Sequence, residues 1–119
     1  MNNAELIQKL EELPAEIRYK STEILNKIIE IDTIQERITS IKVNAMEKVL
    51  ETGAATNDKA RTTAQAKILE TDELYQGLNK TLQANQISVR YEQAQLEFLH
   101  HQLRVYLAIA GMMSNPAVY

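Results

Sequence analysis

The sequence predicts an all-α fold, a long antiparallel helical hairpin with coiled-coil-like packing in a single domain covering residues 1–119. Only three glycines and two prolines occur in 119 residues, which leaves little material for the tight turns that β-hairpins need. Apolar residues recur every seven positions in two long stretches, as they do in helices that pack along a partner helix. One polar stretch between them is the natural place for the chain to reverse.

The first arm of the hairpin is predicted over residues 2–51. Asn2 or Asn3 can cap its start, and isoleucines at seven-residue intervals follow at positions 17, 24, 31 and 38. Pro14 lacks the backbone N–H that a helix interior uses. It therefore either breaks the arm into a short and a long helix or kinks a continuous one.

The turn is predicted over residues 52–57. Gly53 can adopt the left-handed conformation that ends a helix, and Thr56 or Asn57 can cap the next one. The second arm is predicted as one helix over residues 58–113, followed by a short tail at 114–119. Gly111 and Pro116 provide its stop signal, and Gly77 marks a bend or a close approach of backbones.

The second arm carries its heptad repeat at Tyr75, Leu82, Val89, Leu96, Leu103 and Ala110, with Leu78, Leu99 and Tyr106 between. If two arms of similar length reverse at the turn, Ile31 faces Gly77 or Leu78. Leu10 then faces Phe98 or Leu99.

Asn85 and Glu92 occupy heptad positions where apolar residues are expected. One interpretation is a local shift of the heptad to Ile87 and Tyr91. The other is that the polar pair sets the register, with Asn85 pairing across a helix interface and fixing the oligomer number at a cost in stability.

The second arm is too apolar for a hairpin alone. A second stripe is predicted beside the heptad repeat at Ile87, Tyr91, Ala94, Phe98, Val105 and Ile109. The predicted interface comprises Leu96, Phe98, Leu99, Leu103, Val105, Tyr106 and Ile109, with Leu107 in the same segment. A helix apolar over so wide an arc must be covered on more than one side. We therefore expect a homodimer or larger bundle, with a foreign protein partner as the alternative.

Composition excludes several other classes. There is no cysteine and the net charge is −3, so neither a disulfide framework nor a basic nucleic-acid-binding surface is expected. The acidic runs, Thr71-Asp72-Glu73 among them, are predicted to be solvated faces. No secretory signal and no membrane-spanning run is apparent, and the expected location is cytoplasmic.

Chemical signatures are sparse. Glu97 and His100 have the Glu-x-x-His spacing of di-iron bundles, but no second tetrad accompanies them. Neither a catalytic triad nor a phosphate-binding loop is present. The sequence predicts no catalytic residue, no cofactor and no bound metal.

Three segments carry a resemblance. Thr56-Asn57-Asp58-Lys59-Ala60-Arg61 opens the second arm, Ala64-Gln65-Ala66-Lys67-Ile68-Leu69 continues it, and Leu103-Arg104-Val105-Tyr106-Leu107 lies near its end. Over residues 50–110 the chain resembles small coiled-coil proteins encoded by phages and prophages, many of which lie among recombination and replication genes. The resemblance implies no functional residue.

The leading hypothesis is a non-enzymatic helical interaction protein, such as a phage accessory factor that binds or inhibits a protein partner. One alternative is an accessory protein in phage DNA recombination or replication, whose affinity would fall steeply with salt. The other is a metal-dependent helical-bundle enzyme.

Overall fold

Three helices make up the fold. A computed structural model describes the backbone of residues 1–114 and the side chains of residues 1–112. Helix α1 covers Asn3–Thr52, α2 covers Asp58–Glu70 and α3 covers Glu73–Ser114. The described part of the chain is 92% helical and contains no strand. The predicted all-α helical hairpin with coiled-coil-like packing is confirmed.

The start of α1 and the two helix ends at the turn follow the predicted capping chemistry. The Asn2 side chain accepts a hydrogen bond of 2.8 Å from the backbone N–H of Glu5. The Asn57 side chain accepts one of 2.8 Å from Ala60 at the start of α2. Gly53 has a φ of 65° directly after α1, a conformation that residues with a Cβ rarely adopt.

Of the two alternatives predicted at Pro14, a kinked helix or a break, the break is wrong, because α1 runs through Pro14 as one continuous helix. Proline in a helix interior costs about 3 kcal/mol, yet the turns on both sides of Pro14 are anchored. Leu13 is 3% exposed, and Ile17 is half-buried on the same face. Burial of this face holds the helix together, while Pro14 itself is exposed.

The prediction of one unbroken second arm is also wrong, because the arm divides at Thr71 and Asp72. The Asp72 carboxylate accepts a hydrogen bond of 2.9 Å from the backbone N–H of Tyr75. The Leu69 carbonyl, left open by the end of α2, accepts hydrogen bonds from the Asp72 N–H at 3.2 Å and from Gln76 Nε2 at 3.1 Å. Asp72 is therefore the N-cap of α3 and not part of a solvated acidic face.

Two glycines behave differently from the sequence prediction. Gly111 lies inside α3, which continues to Ser114, so it is not a stop signal. A Cβ at Gly77 would meet no heavy atom within 4 Å, so no backbone approaches closely there. The remainder of the predicted tail, including Pro116, lies outside the described residues.

The chain divides into two compact units. The first combines Met1–Lys27 with the residues from Ser88 onward, so it pairs the N-terminal half of α1 with most of α3. Its buried apolar side chains are Leu6, Leu13, Ile24 and Val89. Leu6, Leu13 and Ile24 lie along one stripe of α1, and Val89 lies on α3 at a heptad position of the predicted repeat.

The second unit covers Ile28–Ile87 and contains the end of α1, all of α2 and the start of α3. Ile34, Ile38 and Leu78 form its core, with Ile41, Tyr75 and Leu82 packed against them. Gln65 Nε2 donates a hydrogen bond of 2.7 Å to the Lys42 carbonyl, which ties α2 to α1.

The predicted register is wrong by about one heptad. Leu78 packs with Ile34 and Ile38, whereas the prediction placed it opposite Ile31. The prediction assumed that residues 58–78 advance along α1 as one straight helix. Gln65 of α2 already contacts Lys42, but the break at Thr71 and Asp72 interrupts that advance before α3 begins.

Candidate interaction surface

Helix α3 carries two apolar faces in the first unit. The face toward α1, called here the inner seam, comprises the buried Val89 and the half-buried Leu96, Leu99, Leu103 and Tyr106. From Leu96 onward these residues alternate at spacings of three and four, as in a coiled-coil core, and Val89 lies one heptad before Leu96. The inner seam confirms the predicted heptad of this helix.

The second apolar face, called here the outer stripe, comprises Tyr91, Ala94, Phe98, Val105, Ala108 and Met112, all exposed. Tyr91 is 66% and Phe98 60% exposed, and Val105 and Met112 are 42% and 49% exposed. These residues also recur at spacings of three and four, with His101 filling the one remaining position.

The outer stripe lies nearly opposite the inner seam. At about 100° per residue, Tyr91 is about 200° around the helix from Val89, and the same offset recurs at each following heptad. The predicted position beside the first stripe is therefore wrong. Ile109, which was assigned to it, is half-buried.

The predicted interface residues fall into two groups. Leu96, Leu99, Leu103, Tyr106 and Ile109 are half-buried within the chain. Phe98 and Val105 lie on the outer stripe, and the neighbouring Leu107 is 54% exposed. Only this second group is open to another molecule.

The predicted polar positions lie in the helix packing. Asn85 and Glu92 are half-buried, whereas Ile87 is 65% and Tyr91 66% exposed. A shift of the heptad to Ile87 and Tyr91 is therefore wrong. The buried Nδ2 atom of Asn85 has no hydrogen-bond partner among the described residues.

Glu92 pairs with a lysine of α1. Lys27 Nζ lies 2.6 Å from Glu92 Oε1 and donates a second hydrogen bond of 2.7 Å to Ser88 Oγ. The Glu92 side chain is 12% exposed and that of Lys27 32%. Sequence reasoning missed Lys27, although Lys20 and Lys27 occupy the positions between Leu13 and Ile34 in the seven-residue repeat of α1.

The pair has limited chemical scope. Lys27 already donates to a carboxylate and to a hydroxyl, and the buried Oε2 atom of Glu92 finds no partner among the described residues. Two turns before Lys27, Lys20 Nζ lies 3.2 Å from Glu23, and its hydrogen bond lowers the pKa of the Glu23 carboxyl. Of the two pairs, only Lys27–Glu92 joins two helices, so it is the one that aligns α1 with α3 through charge pairing.

Among the described residues, no further potential metal ligand joins the Glu97-x-x-His100 pair. Glu97 and His100 are both exposed, and the described residues contain no group of three or more His, Asp or Glu side chains that could hold an ion. An open depression on α1 in the second unit is polar, lined by Asp32, Gln35, Glu36, Thr39 and Ser40. None of the residues that line it is hydrophobic or aromatic, whereas such residues predominate in small-molecule sites.

No protein-family model matches this chain, and neither a curated protein nor a solved structure matches it. Over residues 1–114, none of the helices carries an apolar segment long enough to cross a membrane.

Proposed function

We propose that this chain is a non-enzymatic helical interaction protein that binds a helix of a protein partner through the outer stripe of α3. The observation that carries the proposal is the exposure of Tyr91, Phe98, Val105 and Met112 at heptad spacing. A groove-binding or coiled-coil helix is recognised through apolar anchors at this spacing. Each large side chain that a partner covers contributes about 1.5–3 kcal/mol if its burial is complete.

Catalysis is supported less well. The Lys27–Ser88 contact of 2.7 Å has the residue types of a serine–lysine dyad, but Glu92 also binds the lysine at 2.6 Å. A general base must be free to accept a proton from its nucleophile, whereas the Lys27 nitrogen already contacts the Glu92 carboxylate as well as the Ser88 hydroxyl. The geometry favours alignment of α1 and α3 over chemistry.

The resemblance to phage and prophage coiled-coil proteins supports an accessory role for such an interaction. The outer stripe, which presents Tyr91, Phe98, Val105 and Met112 at seven-residue intervals on a regular helix, is suited to a helical partner.

A pull-down from the cells of origin tests the proposal. Wild type, Phe98→Glu and Gln93→Glu serve as baits. Gln93 is exposed and lies off both apolar faces, so Gln93→Glu adds the same charge without touching the outer stripe. We expect a protein bound by wild type and by Gln93→Glu to be lost with Phe98→Glu.

Equal recovery with all three baits would contradict the proposal, as would recovery of no protein at all. Circular dichroism of each bait checks that the helices are retained. Because Phe98 is 60% exposed, its replacement removes little packing within the chain.

A further inference from the structure

We propose that the helix bound by the outer stripe is the outer stripe of a second copy of this chain, in antiparallel orientation. The inference rests on the proposed function and names the occupant of the same surface. A twofold axis passing beside the helix midway between Leu99 and His100 generates the arrangement. Such an interface is isologous, so every contact occurs twice.

The stripe is complementary to itself about this axis. Positions equally far from the axis face each other, which pairs Phe98 with His101, Ala94 with Val105 and Tyr91 with Ala108 of the second copy. Two of these layers match a small residue with a larger one, as interdigitating layers require. In a parallel pair, Ala94 would face Ala94 and Tyr91 would face Tyr91, which leaves a void in one layer and crowding in another.

The flanking charges favour the same orientation. Glu97 and Arg104 are exposed and each directly precedes a residue of the outer stripe. In the antiparallel arrangement Glu97 lies two residues, about 3 Å along the axis, from the position facing Arg104 of the second copy. Both long side chains can span that offset, so two symmetric ion pairs border the central Phe98 and His101 layers.

The available area suits a moderate dimer. An aromatic side chain carries roughly 150–250 Å² of surface, and Tyr91 and Phe98 expose 66% and 60% of theirs. With the smaller residues and the flanking side chains, each copy can bury on the order of 500 Å², about 1,000 Å² for the pair, near the lower limit of specific interfaces. We expect a dissociation constant in the micromolar range.

Charge reversal tests the orientation directly. Position 97 of one copy lies near position 104 of the other. In the Glu97→Arg dimer both of these positions are basic, and in the Arg104→Glu dimer both are acidic. Each variant alone therefore places like charges together at two symmetric contacts. Mixed together, they form a heterodimer in which both facing pairs carry opposite charges. Sedimentation equilibrium of the purified full chain from 1 to 200 µM measures the association.

We expect wild type to dimerise, each variant alone to associate at least tenfold more weakly, and the equimolar mixture to recover most of the wild-type affinity. A monomeric wild type at 200 µM would overturn the inference. A wild-type dimer whose mixture shows no recovery would overturn it too, because another face or orientation would then form the contact.

A second measurement keeps the test independent of charge. The chain has no cysteine, so Ala94→Cys and Val105→Cys each introduce a single thiol. Under mild oxidation the antiparallel layers predict a disulfide between the two variants in a mixture and little within either alone. Preferred formation of the Ala94→Cys homodimer would indicate a parallel pair and overturn the proposal.

These outcomes are separate from those of the proposed function. A monomeric wild type in the purified state leaves binding of a foreign helix intact. Conversely, if Phe98→Glu lost only copies of this chain and retained every other captured protein, while the purified wild type still dimerised as the charge-reversal pair predicts, binding of a foreign helix would fail and the self-association would stand.

Discussion

At the scale of single residues, the most informative positions are Asn85 and Glu92, the polar residues at half-buried heptad positions of α3. Glu92 stood out in the sequence because a carboxylate interrupts an apolar heptad. Its partner could not be predicted, since the expected register placed residues 16–18 opposite Glu92, about ten residues before Lys27. The 2.6 Å contact between Lys27 and Glu92 depends on an alignment of two helices, which residues within one helix do not determine.

Lys27→Leu should lower the free energy of unfolding by about 1–3 kcal/mol, since it leaves a largely buried carboxylate without its cation. The lower end is favoured because the Lys27 side chain is 32% exposed. Urea denaturation of Lys27→Leu, Glu92→Leu and the double variant gives the coupling between them. The double variant should lie within about 1 kcal/mol of wild type, because two apolar residues can replace an ion pair. If the loss of unfolding free energy in the double variant equalled the sum of the two single losses, the interaction between Lys27 and Glu92 would contribute nothing to stability.

Asn85→Leu should raise the free energy of unfolding by about 1 kcal/mol, because the buried Nδ2 atom of Asn85 has no hydrogen-bond partner within the part of the chain that the structure describes. Thermal unfolding at fixed concentration measures the gain. Since Asn85 is half-buried within the second unit, we expect the mass of the assembly to stay unchanged. A changed mass would support the earlier hypothesis that Asn85 sets the oligomer number.

At the scale of helices, the sequence predicted what depends on close neighbours. The caps at Asn2 and Asn57 and the positive φ of Gly53 involve residues three or fewer positions apart, so their chemistry can be read locally. The N-cap at Asp72 is also a contact between close neighbours, but it was not predicted from the sequence because the heptad repeat continues through it. Ile68 and Tyr75 are seven residues apart, so the heptad continues across a break in the backbone.

Pro14 shows the opposite limit. Its local effect is unfavourable to a helix, and only the packing of Leu13 and Ile17 against the rest of the first unit keeps α1 continuous. Tertiary burial of this kind overrides local propensity. It cannot be seen before the partner helix is placed.

Asp72→Ala should destabilise the protein by about 1 kcal/mol, the usual cost of losing an N-cap side chain. The backbone N–H of Tyr75 would lose its 2.9 Å acceptor. Glu70→Ala is the matched control, since Glu70 is exposed at the end of α2. Urea denaturation of the two variants distinguishes them, and equal stability would mean that Asp72 does not cap α3.

At the scale of the whole molecule, the amount of exposed apolar surface was predictable and its arrangement was not. Composition indicated more apolar residues than a hairpin can cover. Which residues remain uncovered depends on the face that α3 turns toward α1, and the sequence alone left two faces as candidates. Burial assigns Leu96 and Leu99 to the chain's own core and leaves Phe98 outside.

The chain's own packing is thin. Among the described residues, no large side chain is fully buried, and even the best-covered core residues retain some exposure. Apolar burial is the main favourable term in folding, so a surface covered by association contributes a larger share of stability here than in a protein with a deep core. Stability and self-association should therefore be linked.

The thermal midpoint of wild type should rise with protein concentration, because a partner that binds only the folded state stabilises it by mass action. A concentration about 100-fold above the dissociation constant contributes about 2.7 kcal/mol, which corresponds to roughly 10 °C or more for a chain of this size. Differential scanning calorimetry at 2 and 200 µM measures the shift. Phe98→Glu should show little or none, and Gln93→Glu should behave as wild type. A thermal midpoint in wild type that does not change with concentration would mean that the monomer is as stable as any associated form. Phe98 and its neighbours on the outer stripe would then contribute nothing to folding through association.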